Sequence, residues 1–277
     1  MKRPFSSEKS RNAIWAGSAS SLSDSGTPHI PAAHPRGPVR VGVLVSGNGS
    51  NLQSIIDHSE QGKIHASVVC VISNREDAHA LERARRHGIP AIHVDHRSYP
   101  DRFSFDAAVV QILRDHQVEL VALAGFNRIV SRVMLDAFPT AILNIHPALL
   151  PAFPGNHAQR QALHHGAKIA GCTVHFVDSG TDTGPIIAQA AVPVLDTDTE
   201  DTLSRRILAE EHKVYPAVIQ LYAEGKLRVE GRRVFVEGGS EAVSSYLENP
   251  PLESVRSIPA TIPSSQNPGN PSEERQG

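Results

Sequence analysis

The sequence predicts an α/β fold: a doubly wound, mostly parallel sheet with a Rossmann-like N-terminal half and a C-terminal hairpin. Two observations support this prediction. Short, near-continuous apolar runs, which are expected of strands covered on both faces, alternate with segments of helical period. Four strand–helix units follow one another between residues 41 and 137, and successive units of this kind form parallel sheets with right-handed crossovers.

Each element follows from its apolar period and from the residues that start or stop helices. A cap at Ser50 and Asn51 is expected to begin the first helix, and Gly88 to end the second. Two short β-rich runs joined through Glu230 and Gly231 predict the terminal hairpin, 227–229 with 233–236. The predicted strands are 41–45, 67–72, 91–94, 120–124, 141–143, 171–177 and 186–194, and the predicted helices are 51–57, 78–87, 103–116, 131–137, 158–164 and 200–223.

The ends of the chain differ in composition from its middle. Residues 1–38 are rich in Ser, Pro, Gly and Ala and lack a sustained apolar period, which predicts a disordered extension. They contain no hydrophobic segment of a secretion signal, and their amphipathicity is poor for a transit peptide. The polar, proline-punctuated segment 241–277 predicts a second disordered tail. One folded domain is therefore expected over residues 39–240.

Composition excludes several classes of protein. The net charge of −2 gives no basic surface for nucleic acid, and no apolar run approaches the length of a membrane span. Cys70 and Cys172 lie in apolar, strand-like runs and are expected to be buried thiols of a reducing compartment. No metal-ligand spacing stands out among the 15 histidines, so no metal is expected. These features favour a cytoplasmic, soluble protein that binds neither nucleic acid nor membrane.

Asn144 and His146 close an apolar run and are followed by Pro147. Side chains two residues apart on a strand share a face, so these two polar groups should point the same way while Ile145 points into the core. Pro147 cannot donate to a sheet ladder, and it holds His146 extended. Strand ends of open α/β sheets bind ligands, although such a pair could equally satisfy the hydrogen bonds of a loop.

The first strand–helix turn, Ser-Gly-Asn-Gly-Ser-Asn at 46–51, is a candidate phosphate site. A glycine-rich turn entering a helix offers free N–H groups and the positive end of the helix dipole. A dinucleotide fingerprint would place a glycine at Leu52 and an acid after strand two, and both are missing. The turn therefore fits a terminal monophosphate better than a pyrophosphate, or it is simply a tight turn.

A polar loop, 178–185, follows the predicted sixth strand and carries Asp178 and Asp182. It should lie near the end of the strand that carries Asn144 and His146. A carboxylate beside an imidazole orients the ring and favours its protonated form. The alternative is ordinary turn chemistry, in which Asp, Ser and Gly are common.

Taken together and in order, these motifs resemble the phosphoribosylglycinamide formyltransferases, the folate-dependent transformylases of purine synthesis. The resemblance covers about residues 40–237, and its Asn-x-His pair and later Asp are shared with the wider formyltransferase superfamily. The Gly-Asn-Gly-Ser-Asn-Leu turn is the part specific to the glycinamide ribonucleotide enzymes. The matching segments are residues 45–53, 123–129, 144–151, 174–177 and 182–187.

The resemblance implies a formyltransferase fold and a role for particular residues. Asn144, His146 and Asp182 would carry the chemistry. The substrate-binding residues would be Gly49, Ser50 and Asn51, which hold the 5′-phosphate, and Glu211, which meets the ribose hydroxyls. The folate-binding residues would be Arg102, Asn127, Arg128, Ile129, Val130 and Asn144, with the backbone of the 178–182 loop. Asn127 and Asn156 depart from the family pattern, and His175 is expected to have a supporting role.

The implied reaction is direct transfer. The neutral amine of glycinamide ribonucleotide attacks the formyl carbon of 10-formyltetrahydrofolate, the co-substrate, and no metal is needed. Asn144 and protonated His146 would donate to the oxygen of the tetrahedral intermediate, each worth about 3–4 kcal/mol. His146 would also relay the proton from the amine to the departing folate nitrogen. The partners are then small molecules, and the expected assembly is a monomer or weak homodimer.

The sequence leaves three alternatives open. A formyltransferase acting on initiator tRNA would want a basic C-terminal extension, whereas residues 241–277 are acidic on balance. A formyltetrahydrofolate hydrolase would want an N-terminal regulatory domain. An NAD-dependent oxidoreductase or a non-catalytic nucleotide-binding module would need only the first strand–helix turn. Leu52 and the missing acid after strand two argue against the oxidoreductase, and the Asn/His/Asp set argues against the non-catalytic module.

Overall fold

A computed structural model describes residues 37–238 of the 277-residue chain. The sheet within this range has nine strands, namely β1 Val39–Val45, β2 Ala66–Ser73, β3 Ala91–His93, β4 Leu120–Leu123, β5 Ile142–His146, β6 Ile169–Phe176, β7 Ile186–Pro193, β8 Leu227–Glu230 and β9 Arg233–Val236. The α-helices are α1 Ser50–Glu60, α2 His79–Arg86, α3 Arg102–Asp115, α4 Arg132–Ala137, α5 Ala158–His164 and α6 Glu200–Ala223. The predicted α/β architecture is confirmed. The extensions predicted at 1–38 and 241–277 lie outside the described residues, apart from Gly37 and Pro38.

The order of the strands is β3-β2-β1-β4-β5-β6-β7-β9-β8. The five strands from β3 to β5 are parallel. β6 pairs antiparallel with both β5 and β7, whereas β7 pairs parallel with β9. The chain leaves β1 toward β2 and β3 on one side and returns to β4 on the other. The ends of β1 and β4 therefore flank a topological switch point, where open α/β sheets bind ligands. The loops after β1, β4 and β5 all meet at this edge.

Two details of the predicted elements are wrong in physically informative ways. Helix α1 begins behind Gly49, which is left-handed (φ 75°) and provides no side-chain cap, so Ser50 and Asn51 lie in the first turn. The side-chain amide of Asn51 donates instead to the Glu211 carboxylate. Asn144 and His146 lie inside β5 and not after it, because both pair with β6. A 3-10 turn at His96–Ser98, capped by the Asp95 carboxylate, was not predicted.

Helix α6 packs across α1, β6 and β7 and contains Pro216. Proline lacks an N–H, so the carbonyl of His212 one turn earlier loses its helical partner. Ser54 Oγ on α1 donates to that carbonyl at 2.6 Å. The Tyr215 hydroxyl, fully buried, lies 3.1 Å from the carbonyl oxygens of both Leu123 and Leu143. Helix α6 is thereby fixed against the ends of β4 and β5 despite its proline.

The core of the described domain surrounds the central strands. β1, β4 and β5 contribute almost wholly buried apolar side chains, and Ile145 belongs to this core as predicted. Cys70 and Cys172 are both buried free thiols, and burial raises the pKa of each to about 12. Over residues 37–238 no helix combines the length and apolar character needed to cross a membrane.

Candidate active site

Asn144 and His146 project from one face of β5, opposite His175 and Thr173 of β6. Asn144 Nδ2 lies 3.1 Å from His175 Nε2. His175 Nδ1 is 2.8 Å from the carbonyl oxygen of Phe176, which can only accept, so Nδ1 carries the hydrogen and Nε2 accepts from Asn144. The orientation of the His175 ring and that of the Asn144 amide are thus fixed together.

Asp182 brings the loop after β6 into contact with these side chains. Its Oδ2 lies 3.4 Å from His146 Nδ1 and accepts a hydrogen bond of 2.8 Å from Gly155 N–H. Its Oδ1 lies 3.3 Å from Asn144 Nδ2 and 3.7 Å from His175 Nε2. One carboxylate therefore contacts the amide and both imidazoles.

The ionisation of Asp182 reflects two opposing effects. Burial raises the pKa of its carboxyl, but the neighbouring His175 ring, the hydrogen bond from Gly155 N–H and the neighbouring His146 ring together outweigh burial. The net result is a pKa below the ordinary value of 3.8. Asp182 is therefore an anion at neutral pH, although its side chain is only 13% exposed.

The second acid of this loop has a different task. Asp178 Oδ1 accepts hydrogen bonds from Gly180 N–H at 3.0 Å and from Thr183 Oγ1 at 2.6 Å. These are the hydrogen bonds of an ordinary turn, the alternative that the sequence offered for this loop. A Cβ at Gly184 would lie 1.8 Å from the Phe176 carbonyl oxygen, so the loop can return to the sheet only through glycine. Asp178 shapes the loop, and Asp182, at a positive φ of 54°, faces the site.

A cavity of about 530 Å³ opens beside Asn144, His146 and Asp182. Five of the six predicted folate-binding residues, Asn144 and residues 127–130, line it, whereas Arg102 does not. Arg102 is exposed on α3, with its guanidinium 5.1 Å from the centre of the Phe103 ring. The complete lining is Leu123, His175 and residues 125–130, 144–147, 155–157, 177–178 and 180–182.

A second cavity, of about 270 Å³, lies between the N-terminal turn of α1 and helices α5 and α6. Asn51 Nδ2 donates to Glu211 Oε2 at 2.7 Å, and both residues line this cavity. Burial raises the pKa of the Glu211 carboxyl, an effect that the hydrogen bond from Asn51 partly offsets. Asn51 Oδ1 is buried without a hydrogen-bond partner. Gly49 and Ser50 do not line the cavity themselves, but they form the turn that leads into Asn51.

The two cavities share the wall formed by Gly125, Ile145 and Pro147. Ile145 separates Asn144 from His146 in sequence, and Pro147 follows directly. The arrangement therefore offers two adjacent binding spaces with an amide, an imidazole and a carboxylate beside their common wall.

Sequence reasoning missed several contacts that hold this site. The guanidinium of Arg83 on α2 contacts the carbonyl oxygen of Asn48 at 2.9 Å and its Oδ1 at 3.0 Å, and so holds the turn after β1. Ser46 Oγ accepts from Asn127 N–H at 2.9 Å and donates to Asn74. The carbonyl oxygen of Phe153 lies 2.8 Å from His146 Nε2. Contacts to backbone groups leave no signal in the sequence. Arg83 is different, because a basic residue on the helix after a glycine-rich turn is a detectable signal.

Substitution of Gly49 should destabilise the domain, whereas Gly47 should tolerate it. A Cβ at Gly49 would lie 2.6 Å from Ala80 Cβ and 2.9 Å from Ala80 Cα, at a positive φ. We expect Gly49→Ala to lower the free energy of unfolding by about 1–3 kcal/mol. Gly47→Ala is the matched control, since its Cβ would meet open space. Urea denaturation measures both, and equal midpoints for the two variants would contradict the steric argument.

Comparison with known proteins places this geometry in a family. The formyl transferase family model matches residues 39–219. The chain is 42% identical over 196 residues to the phosphoribosylglycinamide formyltransferase of Escherichia coli, covering 71% of this chain and 92% of that protein. It is 48% identical over 192 residues to the trifunctional purine biosynthetic protein adenosine-3 of Drosophila pseudoobscura, covering 68% of this chain. The matched part spans only 14% of that much longer protein.

A solved structure agrees with these similarities. The crystal structure of glycinamide ribonucleotide transformylase 1 from Symbiobacterium toebii superposes with a TM-score of 0.71 at 60% identity. The superposition covers 72% of this chain and 94% of that one. Because the family model spans more than half of the chain and the relatives agree over nearly the whole bacterial enzyme, the chain belongs to the formyl transferase family.

Proposed function

We propose that this chain transfers the formyl group of 10-formyltetrahydrofolate to the amine of N1-(5-phosphoribosyl)glycinamide, a step of de novo purine biosynthesis. The observation that carries the proposal is the pair of adjoining cavities with Asn144, His146 and Asp182 beside their shared wall. A transfer between two bound molecules needs two such spaces with the reacting groups at their junction. The similarity to relatives named for this activity supports the same acceptor.

The larger cavity is the proposed folate site. Its volume of about 530 Å³ is in the range of pockets that hold a ligand as large as a folate. The polar edge of the pterin would pair with the backbone of residues 127–130. Ile129 is 54% exposed, which leaves apolar surface available to the ligand. Arg102 lies outside this lining, so we assign it at most a contact with the distal, acidic end of the folate.

The smaller cavity is the proposed ribonucleotide site. The N–H groups of Gly49, Ser50 and Asn51 at the start of α1 would hold the 5′-phosphate. Glu211 and the unpartnered Oδ1 of Asn51 would accept hydrogen bonds from the ribose hydroxyls. The glycinamide amine would then point along the shared wall toward Asn144 and His146.

The reaction proceeds by direct attack. The amine nitrogen bonds to the formyl carbon, and the formyl oxygen gains the negative charge. Asn144 Nδ2 would exchange its 3.3 Å contact with Asp182, the longer of its two, for a hydrogen bond to that oxygen. The bond from the carbon to folate N10 then breaks, N10 gains a proton, and the former amine loses one.

The two ring nitrogens of His146 have separate tasks in this mechanism. Nε2 faces the carbonyl oxygen of Phe153 at 2.8 Å, which holds it as an N–H donor. Nδ1 makes only the longer contact of 3.4 Å with Asp182, so it is the nitrogen that exchanges a proton with the substrates, directly or through water. Asp182 stabilises the protonated ring, whose Nδ1–H can also donate to the oxyanion.

A panel of acceptors tests the proposed function. The full-length protein is mixed with 10-formyltetrahydrofolate and either glycinamide ribonucleotide, initiator aminoacyl-tRNA or water alone, and loss of the formyl group is followed optically. We expect turnover only with the ribonucleotide. Turnover without an acceptor would identify a hydrolase, and turnover with the tRNA would identify a different formyltransferase. Binding of NAD in a parallel titration would support the oxidoreductase alternative.

We also propose that residues 39–240 form the complete catalytic domain. The flanking segments lack an apolar period, so a truncated chain of residues 39–240 should retain both its melting temperature and its activity. Differential scanning calorimetry and the formyl-transfer assay measure this. A loss of several degrees would mean that a flanking segment packs on the domain. The expectations of a cytoplasmic location and of a monomer or weak homodimer stay predictions.

A further inference from the structure

The second cavity contains a basic side chain that no part of the mechanism uses. Arg205 on α6 lines it together with Gln159, Ser204, Leu208 and Glu211. It is the one basic residue among the lining residues, so far as residues 37–238 describe the cavity. Such a cavity suits a ligand that has neutral hydroxyl groups at one end, which can donate to Glu211, and an anionic group at the other, which can pair with Arg205.

Arg205 is also available for a ligand. Its guanidinium has a single, weak contact, 3.4 Å from Nε to the carbonyl oxygen of Asp201 one turn earlier. No carboxylate within residues 37–238 lies within ion-pair distance of it. The adjacent Arg206, by contrast, is committed to Asp198 through contacts of 2.6 and 2.9 Å. The charge of Arg206 is thus neutralised by Asp198, whereas that of Arg205 is not neutralised by a carboxylate of the described residues.

The position of Arg205 relative to Glu211 fits a ribose 5-phosphate. The two residues are six positions apart on α6, which corresponds to about 9 Å along the helix axis. A sugar placed at Glu211 and Asn51, with its C1′ substituent toward the shared wall, has its C5′ phosphate on the opposite side. Arg205 is exposed and lines the cavity from α6, and it is not part of the wall that the two cavities share.

We propose that Arg205 binds the 5′-phosphate of the acceptor and makes the enzyme selective for phosphorylated acceptors. The inference rests on the proposed function. A phosphate dianion near the buried Glu211 carboxyl gains from a nearby cation, and a guanidinium binds two phosphate oxygens at once. The N–H groups at the start of α1 orient the phosphate, and Arg205 supplies the full charge that backbone dipoles lack. Arg205 is a substrate-binding residue here and takes no part in the chemical step.

The test compares Arg205→Gln with the wild-type enzyme and with Lys213→Gln. Lys213 lies on the same helix, is exposed and pairs with Glu210, so its replacement controls for the loss of one positive charge. Arg205→Gln should raise KM for the ribonucleotide about tenfold or more, because a charge-assisted hydrogen bond is lost. The values of kcat and of KM for the folate should stay unchanged, Arg205→Lys should recover part of the effect, and Lys213→Gln should resemble the wild type.

A second arm uses the acceptor without its phosphate, glycinamide riboside. Wild type and Arg205→Gln should use glycinamide riboside equally poorly. For the phosphorylated acceptor, added salt should reduce the difference in KM between the two enzymes. An unchanged KM for the ribonucleotide, or an equal difference with the riboside, would overturn the role of Arg205. Failure of the wild type itself to formylate the ribonucleotide would instead overturn the proposed function, so the two failures are distinguishable.

Discussion

Replacement of Asp182 by asparagine is expected to lower kcat by about two to four orders of magnitude while changing the dissociation constant of either substrate little. The carboxylate accepts from Gly155 N–H and faces Asn144 Nδ2 and the rings of His146 and His175. An asparagine has one acceptor oxygen and an amide N–H₂. That N–H₂ would oppose either the Gly155 N–H or the Asn144 amide, and the His146 ring would lose the negative charge beside it.

The same substitution has a defined dependence on pH. The pKa of Asp182 is below its ordinary value of 3.8, so the folded protein gains stability from its ionised form. That contribution is complete above the ordinary pKa of the unfolded chain and is lost as the pH falls through the lowered, folded value. The difference in melting temperature between wild type and Asp182→Asn should therefore be largest near neutral pH and shrink in acid.

Asp196→Asn is a suitable control, because the Asp196 side chain is 90% exposed and pairs only with Lys168 near the surface. It should keep kcat. It should change the pH profile of stability only slightly, because the hydrogen bond from Lys168 that lowers the pKa of Asp196 is exposed to solvent. Steady-state kinetics with both substrates, combined with thermal melts across pH, separate a catalytic from a merely structural role. A kcat within a few-fold of the wild type would reduce Asp182 to a residue that shapes its loop.

The second large effect is expected at Asn144. Asn144→Ala removes the amide that we assign to the oxyanion, and kcat should fall roughly 10²- to 10³-fold. Asn144→Asp keeps the shape but replaces the donors with an acceptor beside Asp182, so its activity should fall at least as far. Rapid-quench measurements with bound folate give the rate of the chemical step. Wild-type activity in Asn144→Asp would show that an N–H donor is not required at this position.

The fold could be predicted closely where local signals and tertiary packing agree. Helix α6 was predicted to the residue despite Pro216, because its apolar period continues past the proline and Ser54 satisfies the carbonyl that the proline leaves free. The end of β5 was predicted too early. Polar side chains normally end an apolar strand, but Asn144 stays in the ladder because it faces His175 on β6.

The candidate site was predictable only in part. The rule that ligands gather at the carboxyl ends of parallel strands predicted the site at Asn144 and His146. It does not account for the 178–185 loop, because that loop follows β6, which runs antiparallel to β5. The family resemblance then singled out Asp182 from Asp178. The partners of His146 and Asp182 in the 150–157 loop could not be predicted, because they are backbone groups placed by residues such as Phe153, with its positive φ of 53°. Arg102 was expected at the folate cavity from resemblance alone and does not line it.

Direct transfer between two adjoining sites is the central claim, and a single-turnover experiment with ¹³C-labelled formyl-folate tests it. Excess enzyme is mixed with the labelled donor and glycinamide ribonucleotide, quenched at intervals, and examined by ¹³C NMR and by mass spectrometry of the intact protein. We expect the label to leave the folate and enter the N-formyl product at one rate, with no labelled protein at any time. Label appearing first on the protein or as free formate would contradict direct transfer at this site.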